Sequence, residues 1–492
     1  MTDPVDTLYT AAGVRALDHE AIKVQGIPGY GLMTSAAGAV FDAIRAAWPD
    51  EKRLNVLCGA GNNAGDGYVL ARLAMAADYE VWLAALKPAS ELSGDAATAA
   101  TDYLAAGGVI SEFKPGLPQI PGIVVDALLG TGLDRPLGGV YASAVQWINT
   151  QAGPVVGIDI PTGVNADTGT VMGIAVTADM TVSFIGQKQG LFTGDGPDHA
   201  GNCIFDSLDV PQLVYDAVPV SGVFIREKSY WFLPRKHNSH KGSHGHVLAI
   251  GSAPGYGGAI RMCGEAALRC GAGLVSLATH PEHVATINDE RPELMVHAIS
   301  GPDDLAGIAD RASVVAVGPG LAQSEWSRAL WHAAIAADVP LVADADALNL
   351  LAIEPVARAN WVLTPHPGEA ARLLGSSIAE IQNDRFAAVR ELAERFDAVV
   401  VLKGCGSLVC APDGELALCD RGNPGMASAG MGDILTGVIA ACLAQGMDIF
   451  EASCAAVWAH AVAGDRAAHI QGERGLFATD LLPHLQAIFN KK

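Results

Sequence analysis

The sequence predicts an α/β protein of two domains, each a largely parallel sheet flanked by helices. Three observations carry this reading. The chain has 492 residues, more than one ordinary hydrophobic core organises. Short β-branched runs ending in glycine alternate with alanine-rich stretches along its length, the pattern of parallel strands joined by crossover helices. Most of the unusual polar residues stand just after those runs, at the carboxyl ends where open α/β sheets bind ligands.

In the first half, strands are expected at 53–59, 80–86, 122–128, 154–160 and 180–185, with a helix at 68–77. In the second half they are expected at 246–251, 274–278, 313–318, 340–343, 361–364 and 398–403. The interval 210–230 contains Pro211, Pro219 and Gly222, lacks a strong helical period and separates the two sets. The expected domains are therefore 1–222 and 223–492. No internal repeat or low-complexity tract interrupts them.

Half of the residues are hydrophobic, 17% are charged and 56 are glycine, a buried globular composition rich in tight turns. A formal charge of -22 argues against nucleic acid or an anionic membrane as partner, since both need a positive field. It leaves room for an anionic small molecule, because a few backbone amides and one lysine set the local potential. The nine cysteines are scattered and odd in number, which fits free thiols in a reducing cytosol. Met1-Thr2-Asp3-Pro4 is acidic and no run of 18 apolar residues occurs, so neither a signal peptide nor a spanning helix is expected. The expectation is a cytoplasmic homo-oligomer.

The strand at 53–59 runs into Gly59-Ala60-Gly61-Asn62-Asn63-Ala64-Gly65-Asp66-Gly67. By itself this glycine-rich turn is as well explained by tight packing and capping as by an anion site. Two further strand ends strengthen the second reading: Asp126-Ala127-Leu128-Leu129-Gly130-Thr131-Gly132 and Asp159-Ile160-Pro161-Thr162-Gly163. A carboxylate closing an apolar strand is costly unless a cation or a donor meets it.

These three motifs resemble the NAD(P)H-hydrate epimerase family over about residues 10–210, which implies a Rossmann-like three-layer sandwich. The resemblance implies substrate contacts from Asn62, Asn63, Ala64, Gly65 and Asp66. It implies others from Gly130, Thr131, Gly132, Leu133, Asp134, Arg135 and Pro136, and from Tyr141 and Asp159. It also implies a potassium ion on Asn63, Asp126 and Thr162, an all-oxygen set suited to a hard cation. The chemistry would be inversion at C6 of the hydrated nicotinamide ring, with Asp159 as the group for proton transfer. Ala64 stands where the family usually has Gly, and Thr162 where Ser is common.

The sharpest signal lies in the second half, at Gly430-Met431-Gly432-Asp433 before the apolar run 434–444. Glycines at a helix start leave amides open to an anion, and Asp433 beside them is placed to take a proton from a hydroxyl attacking phosphorus. The competing explanation is an Asp that simply caps the helix, but the glycine pattern has no need of an acid at that position if capping were all. Gly318-Pro319-Gly320, Asp344-Ala345-Asp346, Thr364-Pro365-His366-Pro367-Gly368-Glu369 and Lys403-Gly404-Cys405-Gly406-Ser407 mark further strand ends. His237, His240, His244 and His246 have no zinc-site spacing.

These motifs resemble the ribokinase-like ADP/ATP-dependent NAD(P)H-hydrate dehydratase family over about residues 223–490, implying a second three-layer sandwich. The resemblance implies an adenine nucleotide on Lys403, Gly404, Cys405, Gly406, Ser407 and Gly432. It implies the hydrate near Ala259, Gly320, His366 and Asp433, and magnesium carried with ADP or ATP. Ala322 stands where the family often has Gly, and Cys405 replaces a usually small residue and is expected to behave as a small hydrophobe. The combined expectation is repair of NADH and NADPH hydrates. Two alternatives stay open: a small-molecule kinase for the second domain and a non-catalytic scaffold for the first.

Overall fold

Runs of apolar residues buried on both faces build the two sheets, as parallel sheets covered by helices require. The computed structural model describes residues 3–490, and the chain divides into two units, Met1–Val223 and Phe224–Lys492. The first unit contains β1 (Thr7–Tyr9), β2 (Arg53–Cys58), β3 (Glu80–Ala85), β4 (Ile110–Glu112), β5 (Ile123–Ala127), β6 (Val155–Ile158), β7 (Met180–Phe184), β8 (Gln187–Lys188) and β9 (Asn202–Asp206), and closes on β10 (Gly222–Phe224). Seven of these form one sheet in the order β4-β3-β2-β5-β6-β7-β9, with every neighbouring pair parallel. β1 pairs in parallel with β8 and antiparallel with β10.

The helices that matter here are α1 (Ala11–His19), α2 (Gly29–Ala47), α3 (Asn62–Ala76), α4 (Gly94–Ala105) and α5 (Gly139–Asn149). Alternate strand residues point to opposite faces. Val56 and Val125 join the core containing Val40 and Ile44 of α2, Leu70 of α3 and Ala99 of α4. Leu57 and Val124 join Val145 and Ile148 of α5 on the other face. Three layers result. The winding direction reverses between β2 and β5, which opens a crevice at their carboxyl ends.

The second unit carries β11 (His246–Ile250), β12 (Leu274–Thr279), β13 (Met295–Ala298), β14 (Val314–Val317), β15 (Leu341–Ala343), β16 (Trp361–Leu363), β17 (Val399–Leu402), β18 (Ser407–Cys410) and β19 (Leu416–Cys419). Its order is β13-β12-β11-β14-β15-β16-β17-β18-β19. The pairs through β17 are parallel, and β18 and β19 add an antiparallel hairpin. The reversal here falls between β11 and β14. Four helices frame the site: α6 (Gly257–Arg269), α7 (Pro367–Leu374), α8 (Met431–Ala444) and α9 (Ile449–Gln471). α8 packs against α6, β14 and β15. Gly437 permits the approach, since a Cβ there would lie 2.1 Å from the Cys263 carbonyl oxygen.

Every strand expected from the sequence is present to within two residues at its ends. The strands not anticipated are β1, β4, β8, β9, β10, β13, β18 and β19, all of five residues or fewer; such runs are too short to show a period. The helix expected at 68–77 begins at Asn62, so residues 62–67 of the glycine-rich motif are helical and only Gly59-Ala60-Gly61 precede the helix. The interval 210–230 is not featureless: Gln212–Asp216 is helical and β10 pairs with β1. All nine cysteines are free. Among the described residues no helix is long and apolar enough to cross a membrane.

Candidate active sites

In the first unit, the turn after β2 is shaped by close packing. A Cβ on Gly59 would stand 1.9 Å from the Leu128 carbonyl oxygen, and one on Gly67 would stand 2.6 Å from Ala127 Cβ. Gly65 faces Met33 Cε at 2.4 Å in the same sense. Gly67 therefore lets α3 settle onto the sheet and Gly65 lets it pack against α2, and Ala64 and Gly65 are buried beneath the turn. Gly61 is the N-cap, so the amides of the first turn face the crevice at the positive end of the helix dipole.

Asp126 at the end of β5 is fully buried. Its Oδ1 accepts from the Thr162 hydroxyl at 2.8 Å and the Leu128 amide at 3.2 Å, and its Oδ2 accepts from the Thr162 amide at 2.7 Å. Burial pushes the carboxyl up to about 6, against these hydrogen bonds. The Leu129 amide donates to Thr162 Oγ1 at 3.0 Å, tying the next loop to the pair. Asn63 is buried too, and neither its Oδ1 nor its Nδ2 has a hydrogen-bond partner among the described residues. A buried amide left unsatisfied calls for an absent ligand or ion. With the Asp126 carboxylate and the Thr162 hydroxyl it makes a set whose available ligands are oxygens, and these residues fit a hard monovalent cation.

Gly130 connects this cluster to Asp159. A Cβ on Gly130 would stand 3.5 Å from Asp159 Oδ2 and 3.8 Å from Asn63 Cβ. Asp159 takes the left-handed conformation, φ 70°, at a cost of about 1–3 kcal/mol for a residue with a side chain. Its Oδ1 accepts from Lys188 Nζ, and the lysine is completely buried while the aspartate is 18% exposed. Asp18 and Asp66 face the same ammonium. Burial raises Asp18 to about 6, helped by Asp159 and opposed by Lys188. Burial first, then Asp159 and Asp18, holds Asp66 well above the carboxylate range.

Asn62 and the segment from Gly132 to Pro136 lie toward solvent, with Asp134, Arg135 and Pro136 exposed. Tyr141 stands half-buried on α5, its hydroxyl raised by burial. The structure thus gathers Asn63, Asp126, Gly130, Asp159 and Thr162, and leaves the 131–136 loop as an open rim. Sequence reasoning missed Lys188 and Asp18.

In the second unit, the centre is a buried ion pair. Lys403 Nζ lies 2.7 Å from Asp344 Oδ1 and 4.0 Å from Glu369 Oε2. Asp344 also accepts from the Thr364 hydroxyl at 2.8 Å and the Thr436 hydroxyl at 2.9 Å. Burial alone would raise Asp344, but Lys403 and the two hydroxyls outweigh it and hold the carboxyl below its usual range. Burial likewise opposes the charge on Lys403, and Asp344 and Glu369 overcome it.

α8 starts directly over this pair. Gly430 is its N-cap at φ 89°, and a Cβ on Gly432 would stand 3.2 Å from Lys403 Nζ and 3.4 Å from Asp344 Oδ2. Gly432 thereby leaves open amides beside the lysine, the arrangement that receives a phosphate. Asp433 follows, half-buried. Burial, reinforced by Asp344 and opposed by Lys403, pushes it up to about 7, the range of a base working near neutrality.

The remaining expected residues surround this centre. A Cβ on Gly320 would touch Tyr256 Cβ at 2.8 Å and Ala259 Cβ at 3.2 Å, so Gly320 and Ala259 are neighbours across the β11–β14 crevice. His366 caps α7: its Nδ1 accepts from the Gly368 amide at 2.9 Å, and its amide donates to Glu369 Oε2 at 2.8 Å. Its ring is half exposed and its pKa is lowered by burial and by Lys403. Burial also raises Glu369 to about 7. Cys405 is exposed and so is not the packed hydrophobe expected, because the loop turns at Gly404 and Gly406 carry it outward.

Two residues here were not anticipated. Arg385 is 1% exposed, and its guanidinium donates to the carbonyl oxygens of Leu402, Lys403 and Gly406 at 3.2–3.4 Å. It props the loop from beneath. His460 on α9 is buried with Nε2 lacking a hydrogen-bond partner among the described residues, and burial pushes it down to about 4.

Two strand-end sites on doubly wound sheets, one rich in carboxylates and one with open helix-start amides beside a lysine and an acid, define the class: a two-domain α/β enzyme with two centres. Comparison with known proteins gives the family. Residues 247–487 match the family described as NAD(P)H-hydrate dehydratase, and residues 29–190 that described as YjeF-related protein N-terminus. The chain is 44% identical over 485 residues to the bifunctional NAD(P)H-hydrate repair enzyme Nnr of Coxiella burnetii, covering 98% of this chain and 99% of that one. Identity to the Escherichia coli enzyme of the same name is also 44% over 485 residues, covering 98% and 94%. Among solved structures, it resembles the ADP/ATP-dependent NAD(P)H-hydrate dehydratase of Bacillus subtilis co-crystallized with ATP/Mg2+, at 30% identity and a TM-score of 0.47, over 52% of this chain and 94% of that one. The chain belongs to the family of bifunctional NAD(P)H-hydrate repair enzymes.

Proposed function

We propose that the first unit interconverts the R and S epimers of NADH and NADPH hydrates, and that the second dehydrates the S epimer at the expense of ADP or ATP. In the second unit Asp433 takes the proton from the C6 hydroxyl as its oxygen attacks the terminal phosphorus. The phosphoryl group moves to that oxygen, and AMP or ADP leaves. Loss of phosphate from C6 with a proton from C5 then forms the ring double bond of NAD(P)H. The original hydroxyl oxygen departs within the phosphate.

The observation that carries this reading is Asp433, raised to about 7, at a glycine-flanked helix start directly over Lys403. The amides of Gly432 and the Lys403–Ser407 loop would hold the adenine nucleotide, with Lys403 as the point charge on its phosphates. Ala259, Gly320 and His366 would hold the hydrate. A magnesium ion would neutralise phosphate charge. That ion would be held largely by phosphate and water oxygens.

In the first unit Asp159 is the proton-transfer group, and Asn63, Asp126 and Thr162 would hold potassium, whose charge would help fix the substrate. The first-turn amides of α3, with Gly130, Tyr141 and the open rim, would face the substrate. Nine free thiols support a cytoplasmic setting. The kinase alternative separates cleanly in one assay: S hydrate with ADP or ATP should regain reduced-nicotinamide absorbance and release phosphate. A stable phosphorylated product with no gain in absorbance would favour the kinase.

A further inference from the structure

Lys188 is a buried charge that the proposed chemistry does not use. Its side chain is completely enclosed, where an ammonium stands only if its donors are met. All three are committed: to Asp159 Oδ1, to Ser183 Oγ at 3.1 Å and to the Phe184 carbonyl oxygen at 3.0 Å. With no donor left over, Lys188 has nothing to offer a substrate directly. The carboxylates facing it are Asp159 after β6, Asp18 on α1 and Asp66 on α3. Of these three acids, Asp159 is the one that the ammonium touches.

Asp159 is also the member of the cluster that reaches both ways. One oxygen meets the lysine, while Oδ2 lies on the side of Gly130 and Asn63. Its left-handed backbone persists only if the surroundings hold it: its amide donates to the Val182 carbonyl oxygen at 2.8 Å, and Lys188 holds the side chain. We propose that Lys188 is a positioning residue of the first site, whose enclosed ammonium fixes Asp159 with its second oxygen toward the crevice. The inference rests on the reading of Asp159 as the proton-transfer group.

The test uses the full-length chain, R hydrate as substrate and excess nucleotide, with Lys188→Gln, Lys188→Arg and Asp159→Asn and the double variant K188Q/D159N. Lys188→Gln should lower kcat for epimerisation about a hundredfold and leave KM for R hydrate within about threefold. Lys188→Arg should recover about tenfold of that loss and no more, because a planar fork cannot serve the same three acceptors. The double variant should be no worse than Asp159→Asn alone, since both act through one group. Retention of wild-type kcat by Lys188→Gln would overturn the proposal. If Lys188→Gln does not fold, wild-type kcat in Lys188→Arg overturns it, and failure of both to fold assigns Lys188 to the fold alone. An Asp159→Asn chain that still epimerises sinks the underlying reading instead, which separates the two failures.

Discussion

Lowering the pH should silence the second site through Asp433. Its carboxyl is pushed up to about 7 by burial and by Asp344, against Lys403, and it must be ionised to act as a base. For such a group roughly one molecule in eleven is ionised at about pH 6 and ten in eleven at about pH 8. The rate of S-hydrate dehydration at saturating nucleotide should therefore rise about tenfold across that interval. The assay is the return of reduced-nicotinamide absorbance at constant ionic strength. Glu369 is also raised to about 7, so the same profile is needed for Glu369→Gln, which should keep the acid limb. Asp344→Asn should move the limb to lower pH, because it deletes a neighbouring negative charge and leaves Lys403 less neutralised. A flat wild-type profile, or an unchanged limb in Asp433→Asn, would refute the assignment. The stability sign follows from the same shift. The contribution of Asp433 is full below its unfolded value of 3.8 and is lost as pH rises through about 7.

Three further outcomes are expected. Ala322 holds a left-handed backbone, φ 57°, so Ala322→Gly should stabilise the second unit by about 1 kcal/mol in denaturant unfolding. Arg385→Lys keeps a charge but loses the fork beneath the Lys403–Gly406 loop, and should raise KM for the nucleotide about tenfold with little change for S hydrate. Replacing potassium by a large organic cation should slow epimerisation of R hydrate, and Asp126→Asn should abolish the difference between the two salts; equal rates of the wild type in both would count against the cation site.

The strand-end acids were legible because a carboxylate after an apolar run stands out in one dimension. Asp126 and Asp159 announce themselves in this way, and Asp433 does so by standing between a glycine-rich turn and the apolar run of a helix. The tighter partners were not legible. Lys188 lies in Gln187-Lys188-Gln189, an ordinary polar run, and only the docking of β8 beside β1 and its contact with Asp159 turn it into a buried cation. Arg385 opens an amphipathic helix where an arginine normally faces water, and its burial depends on the loop after β17 folding over it. For Gly65 and Gly67 the sequence left packing and an anion site equally open, and a Cβ at either would strike a neighbouring side chain. Sequence shows which residue types follow a strand, but whether a glycine serves a ligand or a helix contact is settled by what packs behind it.

Purified R and S hydrates, offered separately, test most directly whether two centres act in sequence. With nucleotide and magnesium, the wild-type chain should return both epimers to reduced nicotinamide. Asp159→Asn should process S alone, and Asp433→Asn neither. Recovery of R hydrate by Asp159→Asn at the wild-type rate, or of either hydrate by Asp433→Asn, would show that they do not.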